Sequence, residues 1–186
     1  SENEKTSSWH SLNVSFPGVA GNVDFRAEAP LPGRVHFYFG TQQNWKLNRG
    51  RYASLVARNL WPGIDLRFDG GKNSLKYAFH VDAGVSAEAI RMHYDGADSI
   101  YVNEEGHLVV ETPTGTLVDP APVAWQMKNQ RRQMVAASWQ VNGHTAQLVV
   151  EPYDPTLPLI VDPEMLVFSG FLGGTNDEEI RGIGAD

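Results

Sequence analysis

The sequence predicts an all-β fold: an antiparallel β-sandwich-like domain with short helical turns. Apolar and polar residues alternate with a period of two through most of the chain. Turn residues recur about every eight to twelve positions, a spacing that suits a sandwich or barrel rather than βαβ units. One segment alone carries a helix start signal, Ser86 as N-cap before Ala87-Glu-Ala-Ile90, and it is short enough to be a 3₁₀ turn.

Taken in order, Arg34-Val-His-Phe-Tyr-Phe39 alternates as a strand. Leu75-Lys-Tyr-Ala-Phe-His-Val81 places Leu75, Tyr77, Phe79 and Val81 on one face, with Lys76 and His80 on the other. Tyr101-Val102 and His107-Leu-Val-Val-Glu111 flank Asn103-Glu-Glu-Gly106 as a hairpin, and Pro113-Thr-Gly115 turns into Thr116-Leu-Val118. Val123-Ala-Trp-Gln-Met127 and Gln133-Met-Val-Ala-Ala-Ser-Trp-Gln-Val141 read as two strands around the polar turn Lys128-Asn-Gln-Arg-Arg132. Asn142-Gly143 is the strongest hairpin signal, suited to a type I′ turn leading into Thr145-Ala-Gln-Leu-Val-Val150. Pro152, Pro155, Pro158 and Pro163 crowd the next stretch, which reads as a stiff, extended domain exit.

Beyond that exit, Leu166-Val-Phe-Ser-Gly-Phe-Leu-Gly-Gly174 and the residues to Asp186 read as a strand, a Gly-rich turn and the start of another strand. A lone hairpin start cannot bury its apolar side. The expectation is that Val167, Phe168, Phe171 and Leu172 add to a sheet, on this domain or on a neighbouring molecule, or begin a following domain. The expected organisation is an N-terminal segment over 1–29, partly disordered or an edge strand, a β-sandwich-like domain over 30–162, and the start of a further unit over 163–186.

Composition excludes several classes. The chain has 186 residues, 41% of them hydrophobic, and a net charge of −7. Its 15 basic residues are scattered, a poor footprint for nucleic acid, and an acidic surface disfavours anionic membranes. With no cysteine there is no thiol nucleophile, disulfide or CxxC zinc site. No apolar run approaches the roughly 20 residues that span a bilayer. The polar start, Ser1-Glu-Asn-Glu-Lys-Thr-Ser-Ser8, fits a mature end left after processing or a cut within a longer protein.

The segment Asn59-Leu-Trp-Pro-Gly-Ile-Asp65 has a plain physical reading. Pro62-Gly63 sets a tight turn, Ile64, Leu66 and Phe68 point inward, and Asp65 can accept hydrogen bonds from the turn backbone. A binding surface is the second reading of the same residues, Asn59, Trp61, Pro62, Gly63 and Asp65. This segment, Pro30-Leu-Pro-Gly-Arg-Val-His-Phe-Tyr-Phe-Gly40, and Ile160-Val-Asp-Pro163 with Leu166 to Gly174 together resemble a known family. It is the N-terminal domain of unknown function that precedes bacterial SBBP repeats, the β-propeller repeat arrays of secreted and surface proteins. The resemblance covers about residues 30 to 186. It implies a bacterial extracellular or cell-surface location and downstream propeller repeats as partners, with residues 163–186 opening the first repeat. It carries no catalytic motif.

The residues themselves show no nucleophile elbow, P-loop or HExxH. His80 with Asp82, and His93 with Asp95, have a spacing that suits either a metal site or a solvated sheet face. Asp177, Glu178 and Glu179 suit calcium or a charged turn, without EF-hand spacing. Trp9, Trp45, Trp61, Trp125 and Trp139 would serve a sugar-stacking platform or, for Trp125 and Trp139 above all, packing. No cofactor or metal is expected. The expected function is a non-catalytic cap, assembly or adhesion module, with a surface glycan or protein as ligand and self-association through the C-terminal strand. The rivals are a carbohydrate-binding module and, behind it, a hydrolase whose carboxylates assemble only in the fold.

Overall fold

The computed structural model describes residues 10–19, 21, 23–38, 41–70 and 75–162. In chain order the strands are β1 (Asn13–Ser15), β2 (Asp24–Phe37), β3 (Lys46–Trp61), β4 (Ile64–Gly70), β5 (Leu75–Val81), β6 (Arg91–Asp95) and β7 (Ser99–Val102). There follow β8 (Leu108–Thr112), β9 (Gly115–Asp119), β10 (Val123–Lys128), β11 (Arg131–Val135), β12 (Ala137–Asn142), β13 (Thr145–Val150) and β14 (Leu159–Asp162). A seven-stranded sheet runs β11-β10-β14-β5-β4-β3-β2, a four-stranded sheet runs β1-β6-β13-β12, and β7-β8-β9 form a third. The described pairings are antiparallel. The fold is all-β and sandwich-like.

The three sheets meet in one core. Leu66, Phe79 and Val161 enter it from the large sheet, Met92, Trp139 and Leu148 from the four-stranded sheet, and Ile100, Leu108 and Val110 from the third. The period-two pleat places them there. Along β5, Tyr77, Phe79 and Val81 are buried while Lys76 and His80 are exposed. The helix signal at Ser86 produces a single 3₁₀ turn, Ala87–Ala89, with the Ser86 hydroxyl accepting from Glu88 N.

Three local expectations are corrected. Gln133–Val141 is not one strand: it breaks at Ala136, so β11 pairs with β10 in the large sheet and β12 pairs with β13 in the four-stranded one. A strand that turns a corner between packed sheets retains its sequence alternation, which hides the break. At Asn142-Gly143, Asn142 pairs with Thr145, so the loop is Gly143-His144. Positive φ occurs at Gly143 and not at His144, the pattern of a type II′ turn. The type I′ signature of two positive φ values occurs instead at Asn129 and Gln130, between β10 and β11.

The third correction concerns the proline-rich stretch, which does not leave the domain at 152. The buried Gln126 side chain donates to the carbonyls of Asp154 and Leu157 and accepts from Asp154 N. These bonds pin the loop, and β14 then enters the large sheet between β10 and β5. At the other end, β2 runs across position 30, and β1 pairs with β6 at the edge of the four-stranded sheet. Val167, Phe168, Phe171 and Leu172 lie outside the described residues.

Leu66 sits opposite Phe79 on β5 and Ala57 on β3, at 1% exposure. Replacing Leu66 with Ala is expected to cost about 2–5 kcal/mol, read as a shift of the urea unfolding midpoint. An unchanged midpoint would contradict the core placement.

Candidate functional site

The Asn59–Asp65 segment is a closed hydrogen-bonded knot. β3 takes four steps from Ala57 to Trp61 while β4 takes two from Leu66 to Ile64, so β3 bulges. The bulge lets adjacent Leu60 and Trp61 both turn into the core, which simple alternation forbids. Asn59 holds it at a positive φ of 48° that an Asn tolerates. Asp65 Oδ1 accepts from Asn59 N at 2.8 Å, and Asn59 Oδ1 accepts from Gly63 N at 3.2 Å. Gly63 has φ 74°, and a Cβ there would lie 2.6 Å from Val85 Cγ2. Trp61 packs edge-on against Phe16, and its Nε1 donates to Pro17 O at 3.0 Å, which ties the N-terminal segment to the core.

Asp65 also opens a chain of ion pairs on the outer face of β2, β3 and β4. Arg58 bridges Asp65 and Glu28 at 2.7 and 3.2 Å. Arg67 bridges Glu28 and Asp69 at 2.8 and 3.0 Å, and Ser54 donates to Asp69. The Arg67 guanidinium, and Arg58 after it, hold the Glu28 carboxyl below its ordinary range. Burial works to raise Asp69, but the Ser54 hydroxyl and Arg67 outweigh it and leave it lowered. These polar groups bond one another over the buried Val56, so the network clamps three strands and does not converge on an open site.

The other sequence candidates disperse. Among the described residues no three His, Asp or Glu side chains gather as a metal site. His80 and Asp82 are exposed, and His93 bonds Thr145 Oγ1. Asp177, Glu178 and Glu179 lie outside the described residues, as does Trp9. Trp61, Trp125 and Trp139 are buried. Trp125 is covered by Arg132, whose guanidinium carbon stands 4.6 Å from the ring centroid. A shallow concavity of about 540 Å³ beside the β10–β11 turn is lined by Lys128, Asn129, Arg131, Arg132 and Gln133, with no carboxylate pair.

One feature was not anticipated from the sequence. β2 and β3 run 14 and 16 residues, but β4 pairs with β3 only at Ser54 and beyond. The outer part, about residues 30–53, is therefore a two-stranded ribbon with no third strand among the described residues. Leu31, Leu47 and Tyr52 are exposed on it, and Tyr38 packs edge-on against Trp45 while 61% exposed. The alternation of Arg34–Phe39 gave only the end of β2, which begins at Asp24, and not its exposure, because half-buried and fully exposed strands share one period.

A buried carboxyl, Asp119 at the end of β9, joins the third sheet to the large one. Tyr77 on β5 donates its hydroxyl to Asp119 Oδ2, while Asp119 Oδ1 has no hydrogen-bond partner among the described residues. Burial raises the Asp119 carboxyl from 3.8 to about 7, against the lowering effect of Tyr77. Burial, and then Asp119, also push the Tyr94 hydroxyl up. Between pH 3.8 and about 7 the folded chain keeps a proton that the unfolded chain has lost. The stability Asp119 contributes is thus complete below pH 3.8 and is lost as pH rises through about 7. Asp119→Asn retains an acceptor and removes the titration. The variant is expected to lose stability less steeply than the parent between about pH 4 and 7. Parallel Tm–pH curves for the two proteins would contradict the assignment.

No curated protein and no solved structure matches the chain. A family model matches residues 1–164. The chain therefore belongs to the family described as a domain of unknown function (DUF7948).

Proposed function

We propose that the chain is a non-catalytic extracellular or cell-surface module, the N-terminal cap, assembly or adhesion domain of a β-propeller-repeat protein. The seating of β14 carries this reading. Leu159 and Val161 are fully buried, and the strand is hydrogen-bonded on both edges, to β10 and to β5. The strand is thus a fixed point of attachment at the end of the described residues. Such a point suits a module that orients and caps a stacked array, whose terminal units need a covered face.

The polar side chains support a non-catalytic role. Asn59, Asp65, Arg58, Glu28, Arg67, Asp69 and Gln126 are each engaged with backbone or with one another. The partners in this reading are downstream repeats and, at the surface, a glycan or protein. Val167, Phe168, Phe171 and Leu172 supply strand addition to a repeat or to a neighbouring molecule.

The test is made in the bacterium that produces the protein, with residues 10–162 deleted from the gene. The intact product is expected in the surface or secreted fraction, and the deletion is expected to leave the remaining chain sensitive to protease. An intact product confined to the cytoplasm, or equal protease resistance after deletion, would sink the proposal.

A further inference from the structure

Charge is segregated along this chain in a way its composition conceals. Four of the 15 basic residues, Arg34, Lys46, Arg49 and Arg51, lie in the ribbon, and residues 29–53 contain no Asp or Glu. The reverse holds over residues 92–127, which contain no Lys or Arg. That span includes the β7-β8-β9 sheet and carries exposed Asp95, Asp98, Glu104, Glu105 and Glu111.

Pairing adds to that segregation. In the body Arg26, Arg58, Arg67 and Lys128 pair with carboxylates, while Lys76, Arg91, Arg131 and Arg132 do not. Among the described residues none of the four ribbon cations does. Arg34 and Arg51 donate to the carbonyls of Asn48 and Pro32, which satisfies hydrogen bonds but leaves the charge unmatched. On the third sheet Glu111 accepts from Ser99 and from Tyr101, neutral donors that leave its charge unmatched too.

The apolar pattern follows the same division. Across the ribbon, Leu31 stands opposite Arg51 and Val35 opposite Arg49, so one face alternates apolar side chains with cations. On the third sheet, Ser99 stands opposite Glu111, and Tyr101, exposed beside them, is opposite Val109. A free two-stranded ribbon is marginal in water, and this one needs a cover. Its outer strand is a poor template for an added strand. Pro30 and Pro32 lack amide hydrogens, Ala29 has a φ of 51°, and the β2–β3 register shifts between Leu31 and Arg34. The cover therefore meets the ribbon through side chains.

We infer that the ribbon is an assembly arm, and that its partner is the acidic outer face of β7-β8-β9 on a second copy of this chain. The inference rests on the reading of the domain as an assembly module. Charge complementarity steers the arm to that face, and Leu31, Leu47 and Tyr101 are covered on contact. An arm that meets a different surface on its partner gives a head-to-tail contact, or a closed pair when two arms exchange.

Sedimentation equilibrium of the purified chain tests this with two charge-reversed variants, Arg49→Glu/Arg51→Glu on the arm and Glu104→Lys/Glu105→Lys in the β7–β8 turn of the acidic sheet. All four positions are exposed, and circular dichroism checks that each variant folds. The parent is expected to self-associate at low salt and to dissociate as salt rises. Each variant alone is expected to be monomeric with an unchanged Tm. A mixture of the two is expected to associate again, because each arm then faces the opposite charge. A monomeric parent at low salt, variants that associate as the parent does, or a mixture that stays monomeric would overturn the inference. Binding of an acidic polysaccharide by a monomeric parent, abolished by Arg49→Glu/Arg51→Glu, would overturn it in favour of a polyanion. A monomer still found at the cell surface would overturn the arm contact alone and leave the cap reading standing.

Discussion

Asp65 closes a bulge at the far end of β3, between Ala57 and Trp61, where the strand turns into β4. One carboxylate accepts from the Asn59 amide and from Arg58, and so joins backbone geometry to the ion-pair clamp. The bulge turns Leu60 and Trp61 inward together, and Trp61 then meets Phe16 and Phe79. Through Pro17 O the same indole holds the segment that follows β1. On the far side of the turn, Gly63 O accepts from Asp82 N and fixes the end of β5. Changes in this small loop therefore reach both larger sheets.

The body and the ribbon solve different problems. The body buries Phe79, Ile64, Leu66, Leu108 and Leu148 almost completely, and the ion pairs of Arg58 and Arg67 clamp its strands. The ribbon has cations without carboxylates and apolar side chains without cover. Stability resides in the first and contact in the second. Asp119 stands between the sheets as a buried carboxyl that is cheapest to keep when protonated, which makes the junction of the third sheet with the large one sensitive to pH in the neutral range.

Much of this was legible in the residues. The strong alternation of Leu75–Val81 gave strand and buried face, the Asn142-Gly143 signal gave the strand Thr145–Val150, and Ser86 gave the 3₁₀ turn. The role of Asp65 followed from side chains that cap turns, whereas the bond from Gly63 N to Asn59 Oδ1 did not. What the residues hid is long-range. The break at Ala136 keeps the period of two, so no local signal marks a change of sheet. Gln126 and Asp119 look like ordinary polar positions within β10 and β9, and only tertiary packing buries them. The ribbon's projection depends on where β4 ends relative to β3, which is a property of register. Its charge bias was present in the sequence, as 25 residues around Arg34–Arg51 without one acid, but scattered totals masked it.

The central claim is that Asn59 and Asp65 act as one device on one loop. A double-mutant cycle with Asn59→Ala and Asp65→Ala, measured by urea unfolding, addresses it directly. Once either clamp is gone the loop opens, so the second substitution is expected to cost less than it does alone. The predicted coupling is about 0.5–3 kcal/mol. Strictly additive costs, or an Asp65→Ala variant as stable as the parent, would contradict the account.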